Sequence, residues 1–376
     1  MRKTSMEGVD CERQRQSSQA SAVRPGLADS GSPESQRSSG VTILVPAYNE
    51  RDHIAETIRS LLDQALPPAE IIVIDDCSSD GTADVATEMG VTVVRPPANT
   101  GSKAGAQNYG LQFVRTEYTM AVDADTTLAP DAIEKIMDAF EDESIVAACG
   151  LVLPRKVRTV WERGRYVEYL FAFTFYKPIQ DFYDKPLISS GCFSAYRTDA
   201  LRSNGGWSTR TMAEDMDLTW SFYHKNQRVR FVPEAVCYPL EPHNYNFMSK
   251  QLRRWSHGFV QNVRLHWREL LGQPYLRTMV AVAMWDAVTA SLLYLVVLPI
   301  LAAVIHPMLL LGYLIDAPAV AVPVVLKGLQ RREVGKVLTS LPSFFVLRIV
   351  NGVFMLNAVW SEMVMGRRLQ IYEKGH

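Results

Sequence analysis

The segment Ala121-Val122-Asp123-Ala124-Asp125 follows Tyr118-Thr119-Met120, an apolar run that predicts a buried strand ending in two carboxylates. Aspartates one residue apart at such a strand end suit a hard divalent cation, which keeps open positions that can hold a diphosphate. The same spacing also occurs in solvated turns, and here it could simply lead into the helix predicted after Pro130. The segment therefore predicts a metal site at Asp123 and Asp125 only if the rest of the chain supports it.

Strands and helices alternate on the N-terminal side of this segment. Apolar runs at residues 41–45, 71–74 and 91–94 predict strands, and a helical spacing of apolar residues begins after Asn49, the expected N-cap. This alternation predicts a parallel, doubly wound α/β sheet, in which ligands bind beyond the carboxyl ends of the strands. Asp75, Asp76 and Asp123 all fall at strand ends, so one crevice can collect them.

A glycine-rich stretch at residues 99–108 precedes the central strand and contains Lys103. Glycines let the backbone approach a ligand, and a helix that starts here presents N–H groups and a positive dipole end. The stretch lacks the spacing of a Walker A loop, and an ordinary glycine-rich loop with a helix cap is the alternative.

Bulk composition excludes several classes of protein. The 376 residues carry 39 Lys and Arg against 40 Asp and Glu, and this net charge of −1 gives no reason to expect nucleic acid as a partner. Five scattered cysteines argue against a disulfide framework or a zinc site, and they favour a reducing cytoplasm for the soluble part. Residues 1–40 are polar and lack an apolar signal region, so we expect a disordered tail.

Three carboxylates crowd into four positions at Glu214, Asp215 and Asp217, where a helix is expected to begin. They could simply satisfy the helix dipole, or they could raise one another's pKa and yield a general base.

The sequence resembles the family 2 glycosyltransferases over about residues 40–270. Six segments carry the resemblance in order: Val45-Pro46-Ala47-Tyr48-Asn49-Glu50, Asp75-Asp76 with Ser78-Ser79-Asp80-Gly81-Thr82, Lys103-Ala104-Gly105, Asp123-Ala124-Asp125, Ala213-Glu214-Asp215 and Gln251-Leu252-Arg253-Arg254-Trp255. The last two are similar to the membrane-embedded branch that contains cellulose, hyaluronan, chitin and poly-N-acetylglucosamine synthases, and also ceramide glucosyltransferases. The resemblance implies a nucleotide-sugar-binding fold of the GT-A type.

The resemblance also implies roles for individual residues. A Mg or Mn ion would be held by Asp123 and Asp125. Asp215 would be the catalytic base with Glu214 as its helper, although Ala213 stands where the family has Thr. The donor nucleotide sugar would be bound by Pro46, Tyr48, Glu50, Asp75, Asp76, Lys103, Asp123 and Arg254. The acceptor would be bound by Cys192, Gln251 and Trp255, with Cys192 lining the pocket rather than acting as a nucleophile.

Residues 151–186 are rich in aromatic side chains, which predict either an acceptor groove or a helix packed on the sheet or the bilayer surface. Residues 245–271 predict an amphipathic helix with a basic face and tryptophans opposite, which suits a lipid interface; a surface helix is the alternative.

Three apolar segments follow, at residues 287–305, 307–326 and 338–361, the second interrupted by Asp316 and the third by Arg348. Basic residues after the second segment predict a cytoplasmic loop and hence a cytoplasmic catalytic domain. The third segment either spans or is re-entrant. We expect a multi-pass protein of the cell (inner or plasma) membrane, with Asp316 and Arg348 as candidate contacts to a second copy or a partner subunit.

These patterns divide the chain into a tail (residues 1–40), a cytoplasmic glycosyltransferase domain (41–243), an interfacial helix (244–272), membrane helices (273–366) and a second tail (367–376). They favour an inverting membrane glycosyltransferase that moves a sugar from a nucleotide sugar, expected to be a UDP-sugar, to a growing polysaccharide. The alternatives are a glycolipid-forming transferase and a non-catalytic membrane subunit that keeps the fold.

Overall fold

The computed structural model describes residues 39–183 and 185–369. The two predicted tails therefore lie almost entirely outside the described residues. The strands are β1 Val41–Ala47, β2 Glu70–Asp75, β3 Thr92–Val94, β4 Tyr118–Val122, β5 Thr127–Leu128, β6 Ile145–Val152, β7 Phe193–Arg197 and β8 Arg228–Tyr238. The α-helices are α1 Arg51–Leu62, α2 Thr82–Glu88, α3 Lys103–Leu111, α4 Ala132–Met137, α5 Val160–Phe171, α6 Lys177–Phe182, α7 Thr198–Ser203, α8 Glu214–His224, α9 Tyr245–Leu270, α10 Pro274–Leu292, α11 Leu298–Val304, α12 Ala317–Gln330 and α13 Val334–Val359.

One eight-stranded sheet in the order β3-β2-β1-β4-β7-β6-β8-β5 organises the N-terminal part of the described chain. Strands β1 to β4 run parallel, as the alternation of strands and helices predicts. The second half is mixed, because β7 is antiparallel to both β4 and β6, and β5 is antiparallel to β8. The α/β class is confirmed, whereas a wholly parallel sheet is wrong.

Both faces of the sheet are covered. Ile43 and Val45 of β1 point into one apolar cluster, and Leu44 between them points into the other. All three side chains are fully buried, and burying each stabilises the fold by about 1.5–3 kcal/mol. A strand buried on both faces reads as a continuous apolar run, which is why β1 is evident in the sequence.

A helical excursion separates β6 from β7 and contains α5, a π-helical turn Ala172–Tyr176 and α6. A capping box between Thr159 and Glu162 starts α5. Tyr166 and Phe173 are buried, while Phe182 is 82% exposed. The aromatic segment is therefore mostly helical, as the second interpretation expects, and an acceptor groove stays a prediction.

Helix α5 packs closely against α13, the last long apolar helix. A Cβ added at Gly164 would lie 3.0 Å from Leu347 Cβ and 3.0 Å from the Ser343 carbonyl oxygen. Only glycine lets the two helices approach this closely without displacement. The part of the chain that contains the sheet is thereby fixed to the apolar helices.

Three helical stretches in the described chain are long and apolar enough to cross a membrane, at Pro274–Val304, Pro307–Gln330 and Val334–Val364. The first stretch starts at Pro274, thirteen residues before the predicted start at residue 287. The prediction began later because it counted only the part of this helix without charged side chains. Asp316 forms an ion pair with Arg348. The structure thus gives these two residues a partner within the chain, and a contact to another subunit stays a prediction.

Helix α9 forms where an amphipathic helix is predicted, with Asn244 as N-cap. Protein covers its inner face, where Met248 and Leu252 pack with Leu347 of α13. Trp267 on the outer face is 52% exposed. The proposed lipid contact therefore concerns the outer face alone and stays a prediction.

We expect Gly164→Val to destabilise the fold by about 1–3 kcal/mol, because the added methyl groups overpack the contact between α5 and α13. The measurement is the thermal midpoint of the purified chain in detergent. Gly335→Ala is the matched control: its Cβ meets nothing within 4 Å, and alanine within a helix raises stability by about 1 kcal/mol. Equal midpoints for Gly164→Val and the wild type would contradict the close packing.

Candidate functional site

Four side chains and one loop converge beyond the carboxyl end of β4; we call this group the carboxylate crevice, formed by Lys103, Asp123, Gly191, Glu214 and Asp215. Lys103 stands at the start of α3 and pairs with Asp123. Its Nζ lies 3.9 Å from Glu214 Oε1 and donates to the Gly191 carbonyl oxygen at 2.9 Å. The structure thus brings together residues from three of the predicted motifs.

Gly191 contributes both of its backbone groups to the crevice. Its N–H donates to Asp215 Oδ2 at 2.8 Å, while its carbonyl accepts from Lys103. A Cβ at this position would lie 2.8 Å from Asp215 Oδ2 and 3.2 Å from Lys103 Nζ. The neighbouring Cys192 carbonyl accepts from the Asp123 N–H at 3.3 Å. Residues 185–192 form the loop before β7, and this loop supplies the backbone contacts.

Burial raises the pKa of both Glu214 and Asp215, and the Lys103 ammonium opposes that rise. The Asp215 carboxyl is also held by the Met216 N–H at 2.8 Å. The charge of Arg254 on α9 also lowers the pKa of both groups. A carboxylate whose pKa is raised by burial but which keeps cations beside it suits general-base chemistry.

Asp217, the third carboxylate of this run, is not part of the crevice. It accepts from Arg210 Nε at 2.8 Å and Nη2 at 2.7 Å, and from His266 Nε2 at 2.7 Å. Burial disfavours its charge, but these bonds outweigh burial and lower the pKa of Asp217 to about 2. The structure therefore separates a structural carboxylate from two that face the crevice.

Asp123 and Asp125 are both partly exposed at the end of β4. Among residues 39–183 and 185–369, no group of three or more His, Cys, Asp or Glu side chains could hold a metal ion. Two carboxylates fit a hard cation that takes its other ligands from water and from substrate phosphates. Arg155, which the sequence did not indicate, holds the Asp125 carbonyl oxygen and pairs with Glu56 at 2.7 Å.

The loop after β1, which contains the predicted donor residues Tyr48 and Glu50, lies against the loop that follows β2. Asn49 has a positive φ of 54°, its N–H donates to Ser78 Oγ at 2.9 Å, and its Oδ1 accepts from the Ser79 N–H at 2.9 Å. Glu50, not Asn49, is the N-cap of α1, because the Asn49 side chain serves this cross-loop contact. Pro46 is the penultimate residue of β1, and Tyr48 just after the strand is 44% exposed.

Asp75 and Asp76 both have partners within the protein. Asp75 is fully buried and its Oδ2 lies 3.3 Å from Arg95 Nη1. Asp76 accepts from the Thr100 N–H at 2.8 Å and from Thr100 Oγ1 at 2.9 Å. These bonds hold the glycine-rich loop against β2, and the role of both aspartates toward a nucleotide base stays a prediction.

The predicted acceptor residues Gln251 and Trp255 lie on α9 and share one partner, Arg165 of α5. Arg165 Nη2 donates to Gln251 Oε1 at 2.7 Å, and its guanidinium carbon lies 4.3 Å from the centroid of the Trp255 ring. No sequence motif indicated Arg165. The only available signal was that a basic residue lies within the aromatic-rich segment for which a packed helix was one interpretation.

Helix α9 also positions the start of α8, which carries the two crevice carboxylates. Gln261 Oε1 accepts from the Met212 N–H at 2.9 Å, and Asn262 Nδ2 donates to the Ala213 carbonyl oxygen at 3.1 Å. A Cβ at Gly258 would lie 2.7 Å from Ala213 Cβ. The small side chain at position 213 matches this close approach. Gln261 Nε2 also donates to Glu362 at 2.7 Å, beyond α13.

Comparisons with known proteins agree with this geometry. Residues 42–205 match the model of glycosyl transferase family 2. A poly-beta-1,6-N-acetyl-D-glucosamine synthase of Staphylococcus epidermidis is 30% identical over 230 residues, which are 60% of this chain and 56% of that protein. The synthase of Staphylococcus aureus (strain MSSA476) is 30% identical over 224 residues, 58% of this chain and 54% of that protein. The chain spans about half the length of the curated relatives it matches.

Among solved structures, a mannosyltransferase from Pyrobaculum calidifontis in complex with GDP-Man and Mn2+ has a TM-score of 0.58 at 18% identity. The match covers 86% of this chain and 87% of that one. It shows a shared fold, and the predicted GT-A type is confirmed.

Lys103→Met should move the acid limb of the pH profile of activity toward higher pH. Asp215, which the resemblance predicts to be the base, can accept a proton only when ionised, so activity should fall as the pH drops through its pKa. The Lys103 ammonium opposes the rise caused by burial, so its removal raises the pKa of Asp215 further. The rate is measured between pH 5 and 9 at saturating substrate. Lys103→Arg keeps the charge and should keep the limb near its wild-type position; a shift with arginine but not with methionine would refute this assignment.

Proposed function

Residues 42–205 form a glycosyl transferase family 2 domain, and from this we propose that the chain is an inverting membrane glycosyltransferase that extends a polysaccharide of N-acetylhexosamine. The observation that carries the proposal is the carboxylate crevice, where Asp215 is fixed by Gly191 beside Lys103 and Asp123. The names of the relatives support the sugar class.

In this proposal Asp215 is the general base. Its two oxygens each accept one backbone N–H, from Gly191 and from Met216, which fixes the carboxylate plane. Each oxygen keeps a lone pair for a proton, so Asp215 takes the proton of the acceptor hydroxyl as that oxygen attacks the anomeric carbon. The attack comes from the face opposite the nucleotide, and the configuration at that carbon inverts. Glu214 shares the Lys103 ammonium and keeps negative charge beside the base.

Lys103 and Arg254 supply positive charge where the departing diphosphate would lie. The charge of Arg254 lowers the pKa of both carboxylates of the crevice, and an arginine fork suits phosphate oxygens. A Mg or Mn ion, held by Asp123 and Asp125, would add charge stabilisation for the same leaving group. The donor is a nucleotide sugar, with a UDP-sugar as the expected form. The predicted donor residues stand at or just after the carboxyl ends of β1 and β2 (Pro46, Tyr48, Glu50, Asp75 and Asp76). Ligands of such sheets bind beyond these strand ends, so we expect the nucleotide there.

In this proposal the acceptor subsite contains Cys192, Gln251 and Trp255.

We also propose that the enzyme resides in the cell membrane with its catalytic domain in the cytoplasm. The three apolar helices support the membrane location. Three helices are few for a polar channel, because each polar group in lipid needs a partner. Export of a polymer would therefore use a second copy or a partner subunit, through surfaces other than the Asp316–Arg348 pair.

The purified chain in detergent, given a radiolabelled nucleotide sugar of N-acetylglucosamine and a divalent cation, should form a ladder or a high-mass product on a gel. Asp215→Asn should abolish this product and still bind nucleotide, because the base acts on the acceptor. A single glycosylated lipid without longer species would replace the polymer by the glycolipid alternative. Weak nucleotide binding with an unchanged maximal rate in Asp215→Asn would refute the role of the base.

Asp125→Asn should leave the fold intact and lower transfer on the order of a hundredfold, the scale of one preorganised electrostatic group. The carboxylate stands partly exposed at a strand end, so its loss creates no core cavity. Transfer rates are measured across a titration of Mn2+, and a midpoint shifted to higher metal concentration supports the metal role. Full wild-type activity in excess chelator would contradict it.

A further inference from the structure

Arg165 is a buried cation in the middle of α5, and none of its side chain is exposed. Its Nη1 pairs with Glu168 one turn along the helix, and its Nε lies 3.7 Å from Glu241 Oε2. A buried cation is retained only where partners offset its desolvation. The two carboxylates supply that offset, so the guanidinium has a fixed place.

Glu241 follows β8 and is itself buried. The Tyr169 hydroxyl donates to its Oε1 at 2.9 Å. Burial raises the pKa of Glu241, and Arg165 and Tyr169 oppose that rise. Arg165, Glu168, Tyr169 and Glu241 form one buried network, which we call the arginine cluster. The network joins α5 to the chain segment that leads into α9.

The arginine cluster contacts the indole of Trp255, which is partly exposed. The guanidinium covers one face of that ring, at 4.3 Å from its centroid, while 37% of Trp255 remains exposed. The same guanidinium binds Gln251, one turn earlier on α9. Tryptophan is the best ring for such a cation, and the contact strengthens where water is excluded. The guanidinium therefore fixes the indole from one face, and part of the Trp255 side chain stays accessible.

We propose that Arg165 is a positioning residue for the acceptor: it fixes the Trp255 indole and Gln251 so that the accessible part of the indole binds a sugar ring of the saccharide acceptor. The inference rests on the proposed function for the nature of the acceptor. An indole face is apolar and flat, which matches the C–H face of a pyranose, and a ring that cannot turn loses less conformational entropy on binding. Arg165 touches neither the crevice carboxylates nor a metal ligand among the contacts of the described residues, so its effect is confined to the acceptor side.

The experiment uses the full chain in detergent and a reducing-end-labelled, β-linked N-acetylglucosamine tetrasaccharide. Arg165→Lys keeps the charge but loses the planar stack. We expect the tetrasaccharide Kd and the acceptor KM to rise about tenfold, while the nucleotide Kd, the donor KM and the thermal midpoint stay close to wild type. Arg268→Lys is the matched control, because Arg268 stacks on the exposed Trp267 of the same helix at 5.3 Å. It should change none of these quantities.

A double-mutant cycle separates positioning from general support. In a Trp255→Phe background, Arg165→Lys should weaken tetrasaccharide binding by much less than tenfold, since both changes act through one ring. If Arg165→Lys fails to fold, Tyr169→Phe removes one hydroxyl from the arginine cluster and should weaken the tetrasaccharide selectively. Additive effects in the cycle, or equal losses for nucleotide and tetrasaccharide, would overturn the inference.

The two proposals fail in different ways. A wild-type chain that forms no product from any nucleotide sugar would sink the proposed function, while the change in tetrasaccharide binding would still decide the role of Arg165. A wild-type chain that transfers sugar but does not bind the tetrasaccharide would overturn the role of Arg165 alone.

Discussion

One ammonium group, that of Lys103, lets three carboxylates occupy the same crevice. It pairs with Asp123, lies near Glu214 and lowers the pKa of Asp215 against the effect of burial. Like charges brought this close would otherwise be neutralised by protons, and Asp215 could not act as the proposed base. The Gly191 peptide completes the arrangement, since its carbonyl fixes the cation and its N–H fixes the base. The sheet, the loop before β7 and helix α8 are placed so that these charges meet.

The sequence was most informative where local pattern and topology agree. Strand ends in a parallel sheet meet at one edge, so Asp75, Asp76 and Asp123 were expected in one crevice. Lys103 and Asp215 were assigned to the site through the family resemblance, and the structure brings both of them to Asp123 and Glu214. The mixed second half of the sheet was not predictable in this way, because β6 and β7 are separated by a helical excursion whose direction no periodicity reveals. Backbone ligands leave no trace in residue identity, and the double role of Gly191 was accordingly missed. Asn49 was expected to cap α1, but its side chain forms a cross-loop bond instead.

Ion pairs between residues far apart in the chain were the second feature that could not be predicted from the sequence. Arg165 and Glu241 are far apart in the chain, and neither belongs to a motif, yet together they support the residues that the Gln-x-x-Arg-Trp motif marks. A motif identifies the groups that face a ligand and omits the groups that hold them. Helix α9 shows the same division: its outer face could be interpreted from sequence, whereas its inner contacts to Met212, Ala213 and Glu362 required the fold. The roles of the individual site residues toward donor and acceptor stay predictions.

The ion pair between Asp316 and Arg348 has a consequence for biogenesis. Either charge alone at the centre of a bilayer costs about 2.5–3.5 kcal/mol on insertion scales. Asp316 precedes α12 and Arg348 lies within α13, so each helix hides the charge of the other. The free energy of insertion is therefore lower if the two helices enter the membrane together as a hairpin. Since Arg348 is synthesised after Asp316, we expect the segment around Asp316 to integrate only once α13 has been made.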